Sequence, residues 1–170
     1  FHLALGDDDT VLRLYDEAVG GTGSSVMLDL IDASALLWRL HLRGVDPGER
    51  WSALAARWLA AGRAGLFAFN DLHLMMALVG AGREDEQQTL LQVLEEAMAR
   101  SDDNARFTRA VGHPAALAFH AFGRGEHARC TELLRDIRSG AHRFGGSHAQ
   151  RDVIDLTLLA AAQRCGQAGL

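Results

Sequence analysis

Apolar residues recur along the chain at helical spacing, in segments separated by short polar stretches. Between residues 7 and 19, the positions Val11, Leu12, Leu14, Tyr15 and Val19 suit one buried face of a helix. No segment shows the period of two that a half-buried strand requires, whereas residues 101–107 are polar and are predicted to be irregular. The pattern predicts an all-α chain, with helices over residues 7–19, 27–42, 47–62, 69–79, 85–98, 114–122, 126–138 and 147–164.

Four glycines divide these segments at similar intervals. Gly6, Gly44, Gly82 and Gly125 lie 38, 38 and 43 residues apart, and each precedes a polar stretch and a new apolar pattern. A helix–turn–helix unit of about 34 to 47 residues is typical of α-solenoids. The spacing predicts a tetratricopeptide-like α-solenoid of antiparallel helix pairs, in a single helical-repeat domain over residues 1–170. Since the chain begins at Phe1 within an apolar run, we expect it to be part of a longer protein.

Two helix starts carry capping signals. Asp46, Pro47 and Glu49 supply an N-cap, a proline for the first helical position and a glutamate three residues after the cap. Ser147 and Gln150 have the spacing of a capping box. These signals predict helices that begin at Pro47 and directly after Ser147.

Charge and composition exclude several classes of protein. The net charge is −5 with both signs interspersed, so no basic stripe suits a nucleic-acid backbone. No apolar run reaches the length of a membrane span, and no leader pattern is present in these residues. All seventeen basic residues are arginine, which excludes a phosphate-loop lysine and a lysine Schiff base. Cys130 and Cys165 lack metal-ligand spacing and are expected to be free thiols in a reducing cytoplasm.

Polar side chains fall in clusters on three otherwise apolar helices. One helix carries Asp29 and Asp32, three apart and therefore on one face. The next cluster comprises Asn70, Asp71 and His73. On the last helix, a continuous polar stripe is formed by His148, Arg151, Asp152 and Asp155.

Two interpretations of these clusters stay open. In the first, the side chains pair with one another, with Asp29 or Asp32 bound to Arg151, because an unpaired buried charge is costly. In the second, they converge on an inner groove and bind a small molecule or a peptide. Acid–base chemistry through Asp29 and Asp32 lacks a partner nucleophile and an oxyanion hole, so no catalytic residue is predicted.

Two further patterns suggest ligands but have simpler explanations. The turn Gly145-Gly146-Ser147 leads into a helix N-terminus and could hold an anion with Arg151, although a glycine pair that ends the preceding helix explains the same residues. Three histidines recur every seven residues from His113, yet glycines interrupt the helix before the third. No metal or cofactor is therefore predicted.

Several longer motifs resemble one known family. They are LDLIDAS at 28–34, GV at 44–45, RW at 50–51, FNDLH at 69–73, VGHP at 111–114 and GGSHAQRD at 145–152. In this order they resemble the tetratricopeptide repeat protein 38 family, over nearly the whole chain and in its C-terminal part. The repeat spacing is longer than the tetratricopeptide unit of about 34 residues.

The resemblance implies a tetratricopeptide-like α-solenoid without a firmly established activity. It also implies that the matching polar residues share a groove; they are His2, Asp29, Asp32, Asn70, Asp71, His73, Arg151 and Asp152. We therefore expect a cytoplasmic helical-repeat binding or scaffold module with a protein, peptide or small-molecule ligand. The alternative is an uncharacterised enzyme or metabolite-binding protein that uses the same side chains. If repeat faces are left uncovered, Phe1, Leu3, Leu5 or the last helix is expected to pack against another copy, giving a homodimer.

Overall fold

The computed structural model describes residues 1–20 and 23–166, and these residues contain helices and no strand. The prediction of an all-α chain is confirmed for this part. The helices are α1 (His2–Leu5), α2 (Asp8–Leu14), α3 (Met27–Leu42), α4 (Arg50–Ala61), α5 (Ala68–Gly80), α6 (Glu84–Met98), α7 (Asp103–Phe107), α8 (His113–Gly123), α9 (His127–Ile137) and α10 (His148–Arg164). π-helical turns at Tyr15–Val19 and Thr108–Gly112 extend α2 and join α7 to α8, and a 3₁₀ turn at Arg138–Arg143 follows α9.

The four regularly spaced glycines end α1, α3, α5 and α8 in the same way. Each has a φ between 64° and 81°, in the left-handed region that glycine adopts without strain. At Gly44, the amide of the next residue donates to the Leu40 carbonyl at 3.1 Å, and the Gly44 amide donates to His41 at 3.0 Å. Equivalent bonds occur at the other three glycines, so all four are Schellman turns. The glycine spacing therefore marks a recurring helix–turn–helix unit.

Two local predictions are wrong. A helix beginning at Pro47 is not formed, because Gly48 has a φ of 62° and the Asp46 carboxylate accepts a bond from its amide; α4 begins at Arg50. Residues 103–107 are helical, because Asp102 caps α7 by accepting a bond from the Ala105 amide at 2.7 Å. The predicted capping box is confirmed, with Ser147 and Gln150 bonded in both directions at the start of α10.

The helices pack in an order that brings the two ends of the fold together. α3 packs against α5, α5 against α8, and α8 against α9, while α10 contacts both α9 and α3. At the α3–α10 contact, the indole N–H of Trp38 donates to the Thr157 hydroxyl at 2.9 Å, although 119 residues separate them. Trp38 also stacks on Phe119 of α8, with ring centroids 4.8 Å apart. The core therefore lies among α3, α5, α8 and α10.

Candidate functional site

The structure distributes the eight predicted site residues over several places and does not gather them into one groove. On α3, Asp29 is half-buried and Asp32 is exposed at the surface that faces α10. His2 bonds Asp7 at 3.0 Å, where the Asp7 carboxylate also caps α2. Asn70 is half-buried at the start of α5. These four residues lie on three different elements and have no common partner among the described contacts.

Arg151 holds the glycine turn that precedes α10. Its guanidinium donates to the carbonyl oxygens of Gly145, at 3.2 Å, and Gly146. A side chain at Gly146 would place its Cβ 2.4 Å from the ring of Phe69, and one at Gly145 would place it 3.1 Å from Phe67. The two glycines are therefore explained by the close approach of this turn to two aromatic rings. The expected ion pair between Arg151 and Asp29 or Asp32 does not occur among the described salt bridges.

Asp152 pairs with an arginine that sequence reasoning missed. Arg39 of α3 donates to the Asp152 carboxylate, and it also donates to the backbone carbonyls of Ala149 and Ala35, each at 2.8 Å. Its side chain is only 18% exposed, so these bonds replace most of its contact with water. Arg39 follows Asp32 by seven residues on one helix, and that spacing was the available signal that both face α10.

Asp71 and His73 are buried, and each forms a hydrogen bond with a nearby backbone group. The Asp71 carboxyl accepts a bond from the Gly65 amide at 2.9 Å, and burial raises its pKa to about 7 against the opposing effects of that bond and of Arg100. His73 Nδ1–H donates to the Phe69 carbonyl at 2.8 Å, and burial lowers the pKa of its imidazole to about 4. The second polar atom of each side chain, Oδ2 and Nε2, has no partner in the described residues. Asp71 therefore ties α5 to its preceding loop and is about half ionised near pH 7, whereas His73 bonds within α5 as a neutral imidazole at that pH.

Two adjoining cavities form a groove on the surface between α1, α3 and α10, which we call the α10 groove. Leu3 and Arg39 line both cavities. One, of about 410 Å³, is further lined by Leu42, Leu156, Leu159 and Ala160. The other, also of about 410 Å³, is further lined by Phe1, Asp32, Leu36 and Gln150. The groove thus has apolar walls, with the Arg39–Asp152 ion pair between its two halves.

Helix α10 is apolar on two sides, and only one of them is covered. Its buried side carries Val153, Ile154, Thr157, Leu158, Ala161 and Ala162. A second, shorter apolar series faces the groove at Leu156, Leu159 and Ala160 with helical spacing, and the polar Gln163 follows it. Of this series, Leu156 is 37% exposed and Leu159 is 51% exposed. A helix that is apolar on opposite sides normally contacts protein on both, whereas these two leucines are uncovered within the described residues.

A short helix of the chain forms one wall of this groove. Leu3 of α1 is partly buried against the core and lines both cavities. Arg43 of α3 forms an ion pair with Asp8 at 3.3 Å and holds the turn that follows α1. Phe1 and Leu5, at the two ends of this segment, are 90% and 66% exposed. Leu3 of α1 therefore shares the groove lining with apolar residues of α3 and α10.

The described residues offer few groups for catalysis or metal binding. Within residues 1–20 and 23–166, no three His, Cys, Asp or Glu side chains are grouped as metal ligands. His120 donates from Nδ1 to the amide oxygen of the buried Gln87 at 2.8 Å, and does not join His113 and His127 in a metal site within the described residues. Over the same residues, no helix combines the length and the apolar character needed to cross a bilayer.

Comparison with known proteins adds no assignment. No family model matches the chain, and no solved structure matches it.

Proposed function

We propose that the chain is a helical-repeat module that binds a partner protein through the α10 groove. The repeat unit is a pair of helices joined by a Schellman turn, as in α1–α2, α3–α4, α5–α6 and α8–α9, with α10 as an additional helix. The packing of α3 on α5 and of α5 on α8, with α4 against α5 and α6 against α8, supports a tetratricopeptide-like arrangement of antiparallel pairs. The motif resemblance to the tetratricopeptide repeat protein 38 family belongs to the same proposal.

The occupant that best fits the groove is an amphipathic α-helix of the partner. α1 forms one wall of the groove, and the uncovered leucines of α10 line the same cavity as its Leu3. A helix with apolar side chains at positions i, i+3 or i+4, and i+7 would cover Leu156 and Leu159. The observation that carries the proposal is this second, uncovered apolar side of α10.

The geometry gives less support to an enzyme or a metabolite-binding protein built on the predicted polar residues. Arg151 donates to backbone carbonyls, and Asp152 is paired with Arg39. Asp71 and His73 are buried among core residues of α5 and do not line the cavities of the groove. A shared site would need these groups to present unpaired atoms to one cavity. The proposal places the module in the cytoplasm, where its two free cysteines stay reduced.

The proposal can be tested with a display library of amphipathic helical peptides selected on the intact chain. We expect enriched peptides to carry leucine-like residues at helical spacing, and the Leu159→Glu variant to bind them at least about tenfold more weakly, because a carboxylate would be buried in an apolar contact. Leu66→Glu is the matched control, since Leu66 is 63% exposed but lies outside the groove.

Circular dichroism of both variants verifies that their helical content is unchanged. Enrichment of peptides that bind Leu159→Glu and wild type equally would contradict the proposal. The alternative occupant of the groove is a second copy of the chain, and light scattering on the chain without peptide tests for it. A dimer that Leu159→Glu dissociates would show that the groove binds a second copy instead of a partner helix.

A further inference from the structure

A second cleft, away from the α10 groove, lies where α3, α5 and α10 end. Its volume is about 410 Å³, which is within the range of small-molecule sites. The side chains that define it are His41, Val45, Asp46, Pro47, Trp51 and Arg164. Two of these, Val45 and Trp51, belong to motifs that the proposed function does not use. We call this space the Trp51 cleft.

Trp51 supplies a hydrogen-bond donor without an acceptor. Its side chain is 3% exposed, and the indole N–H has no partner in the described residues. The other two tryptophans differ, because Trp38 donates to Thr157 at 2.9 Å and Trp58 donates to Ser34 at 2.8 Å. A buried donor that lacks a partner is unusual in a folded protein, and a bound water or ligand is a common explanation. Because this nitrogen has almost no accessible surface, an acceptor in the cleft that Trp51 lines reaches it only after the ring moves.

Arg164 contributes a positive charge that no carboxylate of residues 1–20 and 23–166 neutralises. Its guanidinium donates to the Leu42 carbonyl at 3.2 Å and lies 4.7 Å from the ring centroid of Phe122. Over the described chain, Arg164 forms no ion pair with an acidic side chain. Arginine is well suited to binding a carboxylate, which accepts two parallel hydrogen bonds from it. Two lining residues of the cleft, Arg164 and Trp51, therefore have a cationic group and an N–H donor without an anionic partner in the part of the chain that the structure describes.

The remaining polar groups limit the charge of a suitable ligand. His41 lies in the wall, where burial and the charge of Arg164 lower the pKa of its imidazole and favour the neutral form. Asp46 brings one negative charge, and its carboxylate accepts only a bond from the Gly48 amide at 2.9 Å. With one cation and one carboxylate in the lining, a dianion such as phosphate is disfavoured relative to a monoanion.

We propose that the Trp51 cleft binds a small organic monocarboxylate. The carboxylate accepts hydrogen bonds from the Arg164 guanidinium and the Trp51 indole N–H, and a short apolar portion contacts Val45 and Pro47. This inference is independent of the α10 groove, since neither cavity of that groove shares a residue with the cleft.

The three indole N–H signals in a ¹⁵N–¹H spectrum of the intact chain test the proposal directly. On titration with sodium butyrate, we expect a saturable shift of the Trp51 signal, while the Trp38 and Trp58 signals stay in place because their donors are already bonded. A Trp51→Phe variant identifies the signal. Sodium chloride at equal ionic strength and inorganic phosphate are the comparison salts.

Substitution of the arginine adds an affinity readout. Arg164→Gln is expected to weaken butyrate binding about tenfold or more, because it removes a charge-assisted hydrogen bond. Arg135→Gln removes an exposed arginine on α9 and should leave the titration unchanged. A Trp51 signal that does not respond to butyrate would overturn the proposal. So would a response that sodium chloride reproduces or that Arg164→Gln leaves intact.

Discussion

The buried carboxyl of Asp71 should make the stability of the fold depend on pH in a way that one substitution removes. Asp71 bonds Gly65 through one oxygen, and burial raises its pKa from 3.8 to about 7. An acid whose pKa is higher in the folded state favours folding while it is protonated. That contribution is fully present below about pH 3.8 and is lost as the pH rises through about 7. Asp71→Asn keeps an acceptor for the Gly65 amide but cannot ionise.

The size of the effect follows from the pKa change. Each tenfold change in an ionisation constant corresponds to about 1.4 kcal/mol, so a rise from 3.8 to about 7 corresponds to about 4 kcal/mol. Relative to Asp71→Asn, the wild-type free energy of unfolding should fall by on the order of 4 kcal/mol between about pH 4 and about pH 8. His73 titrates in both proteins, so its contribution is largely removed by taking the difference.

Urea unfolding followed by far-UV circular dichroism, repeated across that pH range, measures this difference. Asp103→Asn is the control, because the Asp103 side chain is 80% exposed and should leave the profile parallel to that of the wild type. If the wild type and Asp71→Asn differ by the same free energy at every pH, Asp71 does not titrate as a buried acid and the reasoning is refuted.

Two further substitutions test the packing around α10. Gly146→Ala should lower the free energy of unfolding by about 2–5 kcal/mol, since it combines left-handed strain with a contact against Phe69. Gly125→Ala, which has a similar φ and open space, should lose only about 1–2 kcal/mol; equal losses in urea unfolding would exclude the steric contribution. Thr157→Val should destabilise by about 1–3 kcal/mol because it leaves the Trp38 N–H without an acceptor. Thr157→Ser keeps the hydroxyl and should lose less, so the reverse order in thermal melts would contradict this role.

Much of the helical plan could be predicted from local signals. The glycines at 6, 44, 82 and 125 end helices because a left-handed residue is needed there. The identity of that one residue is enough to predict the helix end. The capping box at Ser147 is equally local. The start of α4 could not be placed from the same kind of signal, since Gly48 adopts a left-handed conformation that the Asp46-Pro47 pattern does not reveal.

The candidate site was less predictable because spacing along one helix does not determine which other helix it faces. The sequence placed Asp29 and Asp32 on one face but did not indicate that Arg39 would bind Asp152. It gave Arg151 a ligand-binding role, whereas the turn beside it supplies carbonyl acceptors that exist only after folding. The uncovered side of α10 could not be predicted either, because residues 156–162 are apolar except for Thr157 and do not show which side another helix covers.

The contact between α3 and α10 has a consequence for how the protein forms during synthesis. In a linear array, each repeat contacts only its neighbours, so stability accumulates unit by unit and folding can proceed as the chain emerges. Here the indole N–H of Trp38 gains its acceptor only after Thr157 has been synthesised, 119 residues later. The first long helix can therefore reach its final environment only when α10 is available. A model in which each repeat interacts only with its neighbours would therefore underestimate the cooperativity of unfolding. Folding should also be slow for a helical protein, because the contact between Trp38 and Thr157 closes a long loop.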